Sequence, residues 1–266
     1  MSLQFDSLLY ERRGAVALLT FNRPQRMNAI GGTLKQDIAQ AMRHAGQDEE
    51  VRAIVITGAG AAFCAGGDVK EMGEARANGV GPGLQEKLRP GRDAMLLAIH
   101  ESEKPVIAAV NGAAAGAGMN MALAADIRIA SRNARFAQAF VKRGLPPDSG
   151  ASWLLPRVVG MAKACELAFT GDLIDAEEAL RLGIVSRVVE PEALMPTAMA
   201  LAARIAAGPP IAIQLAKQAF RRGMQGDLKE ALAREGAAFN ICFDTEDAKE
   251  GTAAFFEKRD PVFRGR

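Results

Sequence analysis

The chain has 266 residues, 49% of them hydrophobic, with 33 basic against 31 acidic side chains. That content suffices for a large core, and no long Pro/Ser/Gly linker divides it, so one main domain is expected. The near cancellation of charge argues against the basic face that nucleic-acid binding requires. Cys64, Cys165 and Cys242 are far apart and separate from His44 and His100, so neither a disulfide framework nor a metal site is indicated. The opening MSLQFDSLLYERR has no basic stretch leading into an apolar one, and no run approaches ~18 apolar residues. A cytoplasmic protein without a membrane partner is expected.

Residues 15–21 (AVALLTF) read as a strand, and the turn at Asn22-Arg23-Pro24 leads to an amphipathic helix over 33–45. Residues 51–57 (VRAIVIT) predict a buried strand, and a helix follows over 93–102. The order repeats with a strand at 105–110 (PVIAAV), a helical segment after Ala117 and a strand at 127–130. Between 74 and 90, Gly79, Gly81, Pro82 and Gly83 are too many breakers for a regular element, and a mobile flap beside a pocket is expected there. From 162 the pattern turns helical, over 163–170, 175–182, 191–207 and 211–223, punctuated by Gly171, Gly183 and Gly208-Pro209-Pro210. Asp175 reads as a helix cap, with Glu177 and Glu178 in the first turn. Residues 228–254 form the last helical region. A strand-rich front half with a helical tail is α/β in class, divided at 1–200 and 201–266 within one functional unit.

Chemistry concentrates in two turns. Phe63-Cys64-Ala65-Gly66-Gly67-Asp68 and the run from Asn111 through Gly116, Ala117 and Gly118 each follow an apolar strand and lead into a helix. Small residues let a ligand touch the main chain, and the first N–H groups of a helix have no internal acceptor. Two such turns facing one pocket would hold an oxyanion. Taken singly, each turn serves equally for tight packing. Neither carries the Lys-Ser/Thr of a phosphate loop, and 58–60 has no third glycine in register, so no nucleotide fingerprint is present.

These motifs fall in a recognisable order. Asn22-Arg23-Pro24 with Asn28-Ala29, the AFCAGGDVKEM run at 62–72, KPVIAAVNG at 104–112 and the terminal Phe255/Lys258 pair together resemble the crotonase superfamily, the enoyl-CoA hydratase/isomerase family. The FxxAF motif at 136–140 and GLPPDSGASWLLPRVVG at 144–160 look most like its 1,2-epoxyphenylacetyl-CoA isomerase branch. The resemblance implies a spiral of ββα units with a helical C-terminal trimerisation region, assembled as homotrimers or dimers of trimers. It implies an acyl-CoA thioester substrate, coenzyme A arriving as part of that substrate, and no permanently bound cofactor.

By the same resemblance, the backbone N–H groups of Gly67 and Ala117 form the oxyanion hole. Arg26, Met27 and Ala29 lie along the adenine and phosphates, and Ala65, Asp68 and Val69 beside the pantetheine. Phe255 and Lys258 reach the nucleotide of a neighbouring subunit. Family hydratases carry two glutamates; this chain has Asn120 and Phe140 at those substrate-pocket positions. Asn cannot titrate and Phe has no proton to exchange, so water addition through a carboxylate pair is not expected. Asp148 is the remaining carboxylate, at the place where some family isomerases carry their catalytic aspartate. From the residues alone it reads equally as the N-cap of a helix starting near Ser149. The expected activity is an acyl-CoA isomerase, with 2-enoyl-CoA hydratase as the alternative and a non-catalytic CoA- or RNA-binding protein as a remote third.

Overall fold

The computed structural model describes residues 4–79 and 94–266. Among the described residues, ten strands make two sheets. The larger has six, in the order β1 (Leu8–Arg13), β2 (Val16–Phe21), β3 (Ala53–Gly58), β5 (Val106–Val110), β7 (Ile127–Ser131) and β10 (Arg187–Val189). All neighbours in it are parallel except the β1–β2 hairpin. The smaller sheet holds β4 (Ala62–Cys64), β6 (Ala113–Ala115), β8 (Arg135–Ala137) and β9 (Ile174–Asp175), with β4, β6 and β8 parallel. Successive units therefore place one strand in each sheet, β3 then β4, β5 then β6, β7 then β8, and the chain advances as a spiral.

The central strands β2, β3 and β5 of the larger sheet are buried on both faces, as parallel strands require. Along β2, β3 and β5 the side chains alternate. Leu19, Phe21, Ile54, Ile56, Val106 and Ala108 enter the main core, while Val16, Leu18, Val55, Ile107 and Ala109 face the opposite way. Helix α1 (Leu34–Gln47) covers the first face with Leu34, Ile38, Ala41, Met42 and Ala45, one stripe at helical spacing. Helix α8 (Leu194–Ala206) covers the second with Leu194, Ala198, Ala202 and Ala206. It crosses position 200 and buries residues from its first to its last turn, whereas α9 (Pro210–Gly223) and α10 (Leu228–Phe243), which follow it, have no buried residues.

Several expectations change at their edges. The strands β1, β4, β6 and β8 have three to six residues and were hidden, the short ones because Ala-rich triplets have no readable period. Each glycine-rich run thus contains the end of a short strand, and turn begins only at Ala65 and Gly116. Residues 74–77, expected to be irregular, finish helix α2 (Val69–Ala77). The rest of the expected flap, from 80, and the start of the helix expected at 93 lie outside the described residues. The helical region expected over 228–254 consists of two helices, because Thr245 caps a second one, α11 (Glu246–Glu257), by accepting from the Ala248 N–H. Asp175 caps α7 (Ala176–Arg181) as expected, accepting from the Glu178 N–H at 2.9 Å. Among the described residues no single helix is long and apolar enough to cross a membrane.

Candidate active site

Strands β4 and β6 run side by side and in the same direction, so the turns that follow them leave one end of the smaller sheet together. In the first turn several backbone groups are bonded to the 27–30 segment. The Ala65 N–H donates to the Met27 carbonyl (3.1 Å), the Gly66 carbonyl accepts from Ile30 (2.7 Å), and the Asp68 N–H donates to the Ile30 carbonyl (3.0 Å). The Gly67 N–H has no acceptor among the described residues, and Gly67 is exposed. In the second turn, Gly116 donates to the Ala137 carbonyl (2.8 Å), and Ala117 opens helix α4 (Ala117–Ala124) with its N–H likewise without an acceptor among the described residues.

Two glycines bring these turns together. Gly66 has φ +90, and a methyl group there would lie 2.7 Å from the Ala115 carbonyl oxygen and 3.7 Å from the Ala117 nitrogen. Gly116 takes φ 52, ψ −123, a conformation open in practice only to glycine. Helix α4 also sits directly on β4: a methyl on Gly118 would fall 2.0 Å from the Cys64 carbonyl oxygen. Burial pushes the Cys64 thiol up to about 12, against a weaker opposing bond from the Gly66 backbone, so it stays neutral beneath the turn.

The expected coenzyme A residues divide by environment. Met27 and Val69 are exposed, Arg26 and Ala65 are half-buried, and Ala29 is buried. Met27 and Asn28 both have left-handed backbones, held by the fully buried Asn28 side chain. Its Nδ2 donates to the carbonyls of Ala59 (2.9 Å) and Ala62 (2.7 Å), and its Oδ1 accepts from the Arg23 N–H (2.8 Å). Asp68 is buried, and its carboxylate works inside the scaffold. One oxygen caps α2 through the Glu71 N–H and the other pairs with Arg23 (3.2 Å). Burial alone would raise this carboxyl; the Glu71 N–H and the Arg26 and Arg23 charges outweigh it and hold the group below the ordinary carboxylate range.

Arg23, the middle residue of the Asn22-Arg23-Pro24 motif, has a role that local sequence does not reveal. Its guanidinium joins the Ala29 carbonyl (2.7 Å), Asp68 and Glu71 (2.6 Å), tying the 23–32 loop to the turn that carries Gly67. Only its partners, distant in sequence, define that task. Phe255 and Lys258 are exposed at the end of α11, outside this network.

Asp148 is exposed and does not cap the next helix. Helix α5 (Ala151–Val159) starts later than expected, with Gly150 in the cap position and no side-chain cap bond. No hydrogen bond engages the Asp148 carboxylate among the described residues. Its backbone carbonyl, by contrast, accepts from the Ala151 N–H (3.1 Å) and from Asn120 Nδ2 (2.9 Å). Asn120 is completely buried, and its Oδ1 accepts from Gln138 Nε2 (2.9 Å), so its amide faces protein on both sides. Phe140 is half-buried with its ring against Gly116, where a methyl would come 3.3 Å from Cζ. The two turns thus offer two open N–H groups and an aromatic ring, and the Asn120 bond ties to them a turn that bears one exposed carboxylate.

The sequence pattern of the enoyl-CoA hydratase/isomerase family matches residues 11–266. The chain belongs to that family. It is 44% identical to the short-chain-enoyl-CoA hydratase of Clostridium acetobutylicum over 97% of each chain. It is 38% identical to the 1,2-epoxyphenylacetyl-CoA isomerase of Escherichia coli strain K12, over 94% of this chain and 95% of that one. A solved enoyl-CoA hydratase from Polaromonas sp. JS666 superposes with a TM-score of 0.90 at 35% identity, covering 97% of this chain and 99% of the other. The fold is accordingly that of the crotonase superfamily, and the chain is an enzyme of the enoyl-CoA hydratase/isomerase family. Overall identity does not select the isomerase branch, since the hydratase-named relative shares more residues. The distinction rests on the side chains around the two turns.

Proposed function

We propose that this enzyme isomerises acyl-CoA thioesters by proton transfer through Asp148. The observation that carries the proposal is the Asn120 bond to the Asp148 carbonyl, which ties a turn bearing an exposed, unengaged carboxylate to the helix that Ala117 opens, with Asn120 and Phe140 supplying no second acid. In this reading the thioester oxygen accepts from the Gly67 and Ala117 N–H groups. Asp148 takes a proton from C2 of a 3-enoyl thioester, and the electron pair spreads onto the held oxygen. Returning the proton to C4 gives the 2-enoyl isomer with no net change in atoms. Ring expansion of an aromatic epoxide carried on acetyl-CoA is the other isomerisation that suits this arrangement. Fixed donors stabilise the enolate without reorganising solvent, each contributing about 3 kcal/mol.

Coenzyme A would run from Arg26, Met27 and Ala29 past Ala65 and Val69, along the backbone around Asp68. The C-terminal helices expose Phe220, Leu232, Phe239, Phe243, Phe255 and Phe256. Apolar surface of this extent is characteristic of an interface, so a homotrimer or a dimer of trimers is part of the proposal, with Phe255 and Lys258 completing a neighbour's site.

The second reading is 2-enoyl-CoA hydration, favoured by the name of the 44% identical relative. It would require Asp148 to manage water alone. An acyl-CoA panel followed by mass spectrometry separates the two. Unchanged mass with altered retention supports isomerisation, and a gain of one water overturns it.

A further inference from the structure

We propose that Asn120 is a positioning residue, which sets the place of Asp148 relative to the oxyanion hole. The inference rests on the isomerase reading above and adds a residue through which that reading operates. Helix α4 begins at Ala117, the second oxyanion donor, and Asn120 lies three residues further along the same rigid element. From there its Nδ2 reaches across 28 residues of sequence to the Asp148 carbonyl at 2.9 Å. One side chain thus links the group that holds the thioester oxygen to the peptide that carries the base.

The Asp148 turn needs such a tether. Ser149 and Gly150, the next two residues, both have positive φ, at 50 and 76. Residues 141–148 are all exposed, so little packing fixes this approach. Within the turn, the Asp148 carbonyl is also held by the Ala151 N–H, which orients it towards α5 but says nothing of its distance from α4. Asn120 supplies the cross-element bond.

Gln138 keeps Asn120 in the required orientation. Its Nε2 donates to Asn120 Oδ1, which leaves Nδ2 as the group facing Asp148. Gln138 is itself fully buried and directly follows β8, whose last residue, Ala137, accepts from the Gly116 N–H. Both ends of the relay are therefore referred to the same oxyanion turn. Its Oε1 is buried without a hydrogen-bond partner among the described residues, an energetic cost that a purely structural site would avoid with an apolar side chain.

The test uses the full-length chain and trans-3-hexenoyl-CoA in D2O, with deuterium uptake and double-bond shift followed together. Asn120→Ala, Gln138→Met and Asp148→Asn are compared singly, and Asn120→Ala is also placed in the Asp148→Asn background. Displacing a reacting group by about 1 Å costs on the order of 10²-fold. Asn120→Ala is expected to lower kcat by about 10- to 100-fold with KM within about twofold, and Gln138→Met to lower it in the same direction but less. In the Asp148→Asn background, Asn120→Ala should change the residual rate by less than about twofold, because a residue acting through Asp148 has nothing left to position. Gln138→Met keeps volume and removes the orphaned oxygen, so it remains informative if Asn120→Ala folds poorly. Wild-type turnover in both single variants, or a further full loss from Asn120→Ala in the Asp148→Asn background, overturns the positioning role. Wild-type exchange by Asp148→Asn, or no exchange by the wild type, overturns the isomerase reading instead.

Discussion

Because the oxyanion donors are backbone groups, the informative perturbation is the glycine that brings them together. In Gly66→Ala the new methyl would lie 2.7 Å from the Ala115 carbonyl oxygen, about 0.7 Å short of ordinary van der Waals contact, and its opponent is backbone that cannot rotate away. The turns must separate, and the Gly67 and Ala117 N–H groups then lose a shared focus. Losing one such donor costs about 3 kcal/mol, on the order of 10² in kcat. An alanine forced to positive φ adds about 1–2 kcal/mol of strain, which lowers stability without touching chemistry. Gly14→Ala isolates that second effect, since Gly14 has φ +61 and nothing within 4 Å of the added methyl. Turnover of trans-3-hexenoyl-CoA and a thermal melt should be measured for both variants. Both should lose stability, Gly66→Ala the more because of its clash, and only Gly66→Ala should lose turnover. Equal kcat in the two would refute the oxyanion-hole assignment.

Replacing Asp148 by Asn should reduce isomerisation by about two to four orders of magnitude, with melting temperature and CoA affinity retained; near-normal turnover would remove it from the mechanism. Arg23→Met strands the buried Asp68 carboxylate, so stability should fall by about 3–5 kcal/mol and KM should rise as the 23–32 loop loosens, checked by denaturation and steady-state kinetics. Burial lowers Lys217 to about 8, against the opposing pull of Asp126. Between pH 8 and the ordinary lysine value the unfolded chain holds a proton that the folded chain has released, so this group makes stability rise with pH. Melts from pH 7.5 to 10 should show that contribution in the wild type and its absence in Lys217→Met. Truncation after Gly251 removes Phe255, Phe256 and Lys258 and should weaken both assembly and CoA binding; light scattering showing a monomer for the intact chain at micromolar concentration would refute the assembly.

Local pattern alone determined the α/β class, the long buried strands and most helices. Runs such as AVALLTF and VRAIVIT carry the β-branched signature of strands, and Gly171, Gly183 and Pro210 punctuate the helices where backbone chemistry demands it. The glycine and alanine turns were visible too, since only small residues permit such close backbone approach. Tertiary structure alone decided what those turns face. β4 and β6 are three-residue strands, too short to have a period, yet their parallel pairing is what puts Gly67 and Ala117 at one end of one sheet. Asn120 and Asp68 illustrate the same division. In sequence each is a polar residue near a motif, open to a ligand or to the scaffold. Folding brings Asn120 to Asp148 and Gln138, and Asp68 to Arg23, across 18 to 45 positions. A hydrogen bond spanning that separation leaves no trace in local spacing, because its geometry is set by how two sheets and a helix pack rather than by either segment alone.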